Sequence, residues 1–306
     1  MRFGVRSAAI MLAIVPLSLL AGEAILRVHG WATHAGRPLY HADNRIGYIP
    51  LPSQSGSAYG RLWVFNERSM GTASPFRPTA RKDILLIGDS LVFGGQFTQA
   101  DKLGPQLEAV SGGKVWPISA PSWALQNELQ YLRDHPEVVQ GVDEIIFLLN
   151  AKDFRWPSSW ASKLSHPRVA EPQPRSLLWS AIRRKWYRIF GKPVDPAKVR
   201  TPYRRPRPPP GLKLTPRDNV ADMGALVTAA RKPIHLIFYP DQAELPGVDP
   251  CGFELPDVAR LPGLTITCVK ADKRWSRALY SDHIHPSAEG VRVLSRIIAD
   301  SLGRGR

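Results

Sequence analysis

Ser90 closes the run Asp83-Ile-Leu-Leu-Ile-Gly-Asp-Ser90, a short apolar stretch that ends in Gly-Asp-Ser and is followed by Leu91-Val-Phe-Gly-Gly95. A serine at the turn from a strand into a helix exposes its hydroxyl at the sheet edge, where neighbouring backbone N–H groups can face a developing oxyanion. Such a hydroxyl needs a base. The late histidines, His283 and His285, sit in Asp282-His-Ile-His-Pro-Ser-Ala-Glu-Gly290, with Asp282 three residues before His285. One turn can therefore hold a carboxylate against the imidazole and fix the tautomer that accepts a serine proton. Gly-Asp-Ser alone is a common turn, and Asp-x-x-His alone can be a helix cap. Their joint placement after the first strand and before the last helix strengthens the case for a serine nucleophile with a histidine base, and His283 would point elsewhere if His285 faces the serine. No metal role is expected for Asp282, His283 and His285, and the reaction requires no cofactor.

These residues must be positioned by strands and helices. Asp83–Gly88, Lys114–Ile118, Glu144–Leu149, Ile234–Tyr239 and Leu264–Val269 read as short apolar strands of the buried parallel kind. Leu103–Ala109 and Leu125–Leu132 are helix-compatible and fall between the first three strands at βαβ spacing. The last helix is predicted over Ser287–Leu302, where Val291, Leu294, Ile298 and Leu302 recur at three- and four-residue intervals. The expected fold is a three-layer α/β/α sandwich with a mainly parallel central sheet. The stretch 31–79, broken by Asn44, Gly47, Pro50, Gly56 and Gly60, reads as a turn-rich lead-in lying against a catalytic domain spanning 80–306.

The blocks Ile84-Leu-Leu-Ile-Gly-Asp-Ser-Leu-Val-Phe-Gly94 and Asp282-His-Ile-His285-Pro, together with Asp43-Asn-Arg-Ile-Gly-Tyr48 and Phe65-Asn-Glu-Arg-Ser-Met-Gly71, resemble the SGNH, or GDSL, hydrolases, and more closely their membrane-anchored bacterial members. The resemblance covers roughly residues 41–302. It implies Ser90 as nucleophile and, through its backbone amide, one oxyanion donor, with His285 as base and Asp282 as its orienting acid. The middle blocks depart from the family pattern. Where the family offers a glycine amide after the second strand, this chain has Trp116-Pro-Ile-Ser-Ala-Pro-Ser122, and Ser122 is the nearest equivalent. Where the family ends a block in Gly-x-Asn-Asp, this chain has Asn150-Ala-Lys152-Asp153, so that Lys152 takes the place of the oxyanion asparagine and either Lys152 or Asn150 is the remaining donor.

The chain has 306 residues, 41 Lys or Arg against 26 Asp or Glu, and a formal net charge of +15. Residues 181–217 hold 12 of those basic residues and one acid, Asp195, in a Pro/Arg-rich insertion at about 167–217. Its start, Ser176–Phe190, intersperses Trp179, Ile182 and Trp186 with arginine and lysine, as in an amphipathic helix resting on an anionic membrane or holding a polyanion; a solvated loop is the plainer alternative. Charge alone would allow nucleic acid, but no zinc-finger spacing or RNA-binding signature accompanies it. Residues 1–30 read as a membrane anchor or signal segment: Arg2 and Arg6 precede Ser7–Leu26, about 30 Å of helix with Glu23 near its far end. The expected location is the bacterial inner membrane, single-pass, with the domain in the periplasm, or the periplasm itself if the segment is cleaved. There Cys251 and Cys268 should form a disulfide rather than two separately buried thiols. The expected substrate is an O-acetylated cell-envelope polysaccharide or other glycan, hydrolysed or used in O-acyl transfer. The lipid surface and membrane acyltransferases or polysaccharide-assembly proteins are the expected partners. A lipid or small-ester esterase, with Trp156, Trp160 and Trp179 as acyl contacts, and a catalytically weak glycan-binding or assembly subunit are the alternatives.

Overall fold

The computed structural model describes residues 16–26, 38–43, 45–58, 60–79, 82–151, 153, 176, 178, 179, 182, 186, 218–249, 251 and 261–303. Five strands form the central sheet: β5 (Asp83–Gly88), β6 (Lys114–Ser119), β7 (Glu144–Leu149), β8 (Ile234–Phe238) and β9 (Leu264–Cys268). All neighbours are parallel, in the order β6-β5-β7-β8-β9. Every residue of β5, β7 and β8 is buried, which is why these strands read as continuous apolar runs rather than alternating ones.

The two-residue period of the strands nevertheless divides the core. Leu85, Ile87, Trp116, Ile118, Ile145, Phe147, Leu149, Leu236 and Phe238 face one layer, built on α3 (Leu125–Asp134), α4 (Pro136–Gly141) and α5 (Asn219–Ala230). Ile84, Leu86, Val115, Ile146, Leu148 and Ile237 face the other, built on α1 (Ser90–Phe93), α2 (Leu103–Ser111) and α6 (Ala288–Gly303). This is the three-layer sandwich expected from the sequence, with all five strands and the three expected helices within a few residues of their predicted bounds.

The lead-in packs on the sheet domain, and its local structure is more regular than its turn residues suggest. It holds two antiparallel hairpins, β1 (Tyr40–Asp43) with β2 (Gly47–Pro50) and β3 (Gln54–Ala58) with β4 (Arg61–Phe65). Strands of four and five residues are too short to show a period among so many turn residues. Tyr40, Ile46, Tyr48, Ile49 and Met70 are buried in the α3 layer, so the lead-in is part of the core.

Cys251 and Cys268 form a disulfide across 17 positions, tying the end of β9 to the chain before it. Closing a loop of that size contributes roughly 2–4 kcal/mol. Residues 16–26 are helical. Among the described residues no helix is long and apolar enough to cross a membrane, and residues 1–15 of the expected span lie outside them. Most of the basic insertion also lies outside the described residues, as do Trp156 and Trp160.

Candidate active site

Strand order decides where a site can form. The chain leaves β5 for β6 on one side and later returns to β7 on the other, so the carboxyl end of β5 opens at a switch point flanked by two diverging loops. Gly88, the last residue of β5, pairs with Ser119 of β6 and Leu148 of β7. A Cβ at Gly88 would lie 2.6 Å from Val92 Cγ2 and 3.0 Å from the Leu148 carbonyl oxygen, so only glycine permits the chain to turn this tightly against β7. Asp89 then caps α1, its Oδ1 accepting from the Leu91 N–H at 2.9 Å. Ser90 is thereby set as the first residue of α1, just past the carboxyl end of β5.

The base arrives from the opposite end of the chain. Tyr280 bridges to Pro286, and the Ser281 N–H donates to the His285 carbonyl at 2.8 Å, closing the segment into a small loop. Gln242 pins it to the end of β8: its backbone N–H donates to the His283 carbonyl at 3.0 Å and its Nε2 to the Asp282 carbonyl at 2.9 Å. Tyr280 adds a buried anchor, donating to the Pro240 carbonyl at 2.6 Å. Gly290 is a second position that requires glycine, since a Cβ there would fall 2.1 Å from the Leu279 carbonyl oxygen.

Within that loop the two oxygens of Asp282 have separate tasks. Oδ1 accepts the backbone N–H groups of Ile284 at 2.9 Å and His285 at 2.7 Å. Oδ2 accepts from His285 Nδ1 at 2.8 Å, leaving Nε2 as the acceptor that meets Ser90 Oγ at 3.0 Å. Partial burial pushes the Asp282 carboxyl up, but these N–H donors and the imidazole outweigh it and hold the pKa below the usual aspartate value. His283 is 79% exposed at its side chain, with Nδ1 3.9 Å from Asp282 Oδ1, and makes no contact with Ser90. Ser90, Asp282 and His285 thus meet as a serine–histidine–aspartate relay, as their sequence positions implied. The chain has an α/β fold around a five-stranded parallel sheet, and the three residues stand at the positions that the resemblance assigns.

No protein-family model matches the sequence, and no curated protein matches it. Solved structures similar to it include a putative lipolytic protein of the G-D-S-L family from Desulfitobacterium hafniense (11% identity, 72% of this chain and 99% of that one, TM-score 0.39). A member of the same lipolytic family from Veillonella parvula shares 11% identity over 73% of this chain and 99% of its own, with a TM-score of 0.40. A putative SGNH hydrolase from Slackia heliotrinireducens shares 15% identity over 72% and 99%, also with a TM-score of 0.40.

Ser122 and Asn150, expected as oxyanion donors, lie after β6 and β7, the strands on either side of β5. Ser122 lies on the loop after β6 and takes a φ of +64°, the left-handed conformation that glycine adopts without cost. A serine therefore reproduces a backbone shape usually left to glycine. The lead-in holds this loop: Tyr48 Oη donates to the Pro121 carbonyl, Trp123 Nε1 donates to the Tyr48 carbonyl at 2.8 Å, and Asn127 Nδ2 donates to the Ile46 carbonyl at 2.5 Å. On the β7 side, Asn150 is buried, its N–H donating to Asp153 Oδ2 at 2.8 Å while the Asp153 N–H donates to the Asn150 carbonyl at 3.1 Å. Lys152 lies between them, outside the described residues.

Three ionisable groups near the site escaped the sequence reading as functional elements. The Asp89 carboxyl is raised by burial, against the pull of the Leu91 and Ser90 N–H groups, the Ser90 hydroxyl and the charge of His285. Ser90 Oγ lies 3.2 Å from Asp89 Oδ2, so the hydroxyl proton has two acceptors within reach, that carboxylate oxygen and His285 Nε2. Glu128 of α3 is fully buried with neither carboxyl oxygen hydrogen-bonded; burial first, then the charges of Asp153 and Asp89, push its pKa well above the ordinary value. Lys102 is buried with Nζ 5.4 Å from the Phe93 ring centroid and 5.8 Å from that of Phe65, and burial lowers its pKa to about 8. Asp89 was visible as part of Gly-Asp-Ser. Glu128 and Lys102 carried no sequence signal beyond a charge within one helix and just before another.

Proposed function

We propose that the protein is a serine-dependent acyl esterase or O-acyltransferase acting on an O-acylated, most specifically O-acetylated, glycan of the cell envelope. The observation that carries this is the relay itself: 3.0 Å from Ser90 Oγ to His285 Nε2 and 2.8 Å from His285 Nδ1 to Asp282 Oδ2. As the Ser90 oxygen attacks an ester carbonyl, its proton moves to Nε2, and the carboxylate of Asp282 stabilises the imidazolium that forms. Backbone amides of Ser90 and Ser122, with a donor from the Asn150–Asp153 turn, receive the oxyanion. His285 returns the proton to the departing alcohol oxygen, and water or a second hydroxyl, deprotonated by the same nitrogen, resolves the acyl-enzyme. Water gives hydrolysis, and an acceptor hydroxyl gives transfer.

Two features support a polymeric substrate outside the cytosol. The relay is open, with the Asp282 side chain 48% and the His285 side chain 27% exposed, so a chain can lie across it. The Cys251–Cys268 disulfide suits an oxidising compartment, and the positive net charge suits an acidic polymer or membrane. This reading places the domain on the periplasmic side of an inner membrane. The test is release of p-nitrophenol from its acetate ester, followed by acetate release from O-acetylated polysaccharide. Ser90→Ala should lower the first by about 10³-fold or more. Equal traces from both proteins would remove the enzyme reading and leave a glycan-binding or assembly subunit.

A further inference from the structure

Glu23 is the one acid in the apolar N-terminal stretch, and the fold gives it partners 150 residues away in the sequence. Its Oε2 accepts from Ser176 Oγ at 2.9 Å and from the Leu178 N–H at 2.9 Å, and Ser176 Oγ accepts in turn from the Trp179 N–H at 3.0 Å. The carboxylate of one helical segment thus caps the start of another. The Leu178 side chain packs over Gly22 at this point, since a Cβ there would lie 3.5 Å from Leu178 Cδ2.

The two clasped segments share a second property. Leu17, Leu19, Leu20 and Ile25 are 64%, 50%, 67% and 58% exposed on one, and Trp179, Ile182 and Trp186 are 65%, 42% and 65% exposed on the other. Residues 179, 182 and 186 follow the three- and seven-residue spacing of one helical stripe. Scattered surface leucines need no explanation, but seven large apolar side chains on two joined segments do. The insertion that contributes three of them has a net charge of +11 over residues 181–217, twelve basic residues against one acid. Exposed tryptophans beside dense positive charge match the chemistry of an anionic bilayer surface, where the rings enter the headgroup boundary and the cations meet lipid phosphates. An aqueous partner would leave the continuous apolar run before residue 16 without a purpose.

We propose that segment 16–26 and the insertion segment beginning at Ser176 form one lipid-facing unit, clasped by Glu23, which seats the catalytic domain on an anionic bilayer surface. The proposal rests on the membrane location put forward above and deepens it: the anchor and the basic insertion act together, and the clasp sets the orientation of the active site above the lipid. It also accounts for an acid near the end of an apolar stretch, because its charge is met by two donors before it meets lipid.

The test uses the full chain reconstituted in vesicles of phosphatidylethanolamine and phosphatidylglycerol carrying bromine at acyl carbons 6 and 7. Tryptophan emission should be quenched, and Trp179→Phe/Trp186→Phe, which keeps the apolar face but removes the two reporters, should reduce the quenched part by about twofold or more. Unchanged quenching in the double variant overturns the lipid-facing assignment. Glu23→Ala should release the insertion and reduce quenching to a similar extent while the protein still floats with the vesicles; quenching that survives overturns the clasp. Failure of the wild type to float overturns the membrane reading beneath both. Ser90-dependent hydrolysis of a soluble ester, measured in every variant, reports separately on the catalytic reading and confirms that each variant is folded.

Discussion

The two halves of the relay are held by opposite means. Ser90 inherits its position from a fully buried strand of the sheet, through a glycine wedged against β7 and a helix capped by a buried carboxylate. His285 stands on a partly exposed loop shaped by hydrogen bonds of short sequence range, several of them made by Asp282 itself, and tied to the core through Gln242 and Tyr280. A nucleophile fixed by the core resists local damage, because moving it means disturbing close-packed strands. A base fixed by its own loop can be misaligned by a single change that leaves the fold untouched. Placing the two at opposite ends of the chain also means that the site exists only when the sheet is complete.

The largest expected effect that separates the halves is therefore on the base side. Asp282→Asn keeps the size of the side chain and the acceptor for the Ile284 and His285 N–H groups, but removes the charge and the acceptor that hold the Nδ1–H tautomer. Ester turnover should fall about 10²–10⁴-fold with the melting temperature nearly unchanged. A large loss of stability would show that the loop belongs to the core after all. The Asp282 pKa is lowered on folding, so the stability it contributes is present above the ordinary aspartate pKa and fades as the pH falls through the lower folded value. The variant should accordingly show a smaller loss of stability than the wild type across that acid range.

The nucleophile side has the opposite signature, a change in stability without a loss of chemistry. Lys102 packs beneath α1, beside the rings of Phe65 and Phe93, and burial lowers its pKa to about 8 from the 10.5 of a free lysine. A lysine pKa depressed in the folded state means that the unfolded chain binds more protons between these values. Stability therefore falls as the pH drops from about 10.5 towards 8 and stays low below that. Lys102→Met should stabilise the protein by about 1–3 kcal/mol at pH 7, with part of the desolvation gain offset by lost cation–π attraction. The advantage should vanish above pH ~10.5, which urea unfolding at several pH values would reveal. A variant less stable than wild type at pH 7 would mean that the ring contacts outweigh the desolvation.

The same division explains what could be read from the chain alone. Asp83–Gly88, Glu144–Leu149 and Ile234–Phe238 announce themselves because strands buried on both faces must be apolar throughout, and the relay residues lie next to them or inside a short motif. The hairpins of the lead-in were hidden because four or five residues cannot display a period, and helix α5 because its apolar positions face the core only in part. Glu128 could not have been found at all. A buried acid in a helix differs in no way from a solvated one until tertiary packing shows Asp89 and Asp153 beside it. Ser122 was located by alignment of blocks, but its left-handed backbone was not, since no serine advertises a positive φ.

The loop carrying Ser122 sits between the two regimes: it is neither strand nor self-contained, and the lead-in grips it from below. Tyr48→Phe removes the hydroxyl that donates to the Pro121 carbonyl while leaving the buried ring in place. A looser loop presents the oxyanion donor less accurately, so kcat should fall about 3–10-fold with KM nearly constant. A rise in KM with kcat unchanged would place Tyr48 in substrate binding instead. Ser122→Gly is the smallest and sharpest change. At a φ of +64° a serine bears a steric cost that glycine avoids, but glycine gains freedom in the unfolded chain. These terms oppose each other, so stability should move by no more than about 1 kcal/mol. The backbone N–H is the same in both residues, so turnover should remain within about twofold if the amide is the donor. A loss of tenfold or more would assign the work at this position to the serine hydroxyl, and this chain would then hold its oxyanion by a side chain where the SGNH resemblance implies a backbone amide.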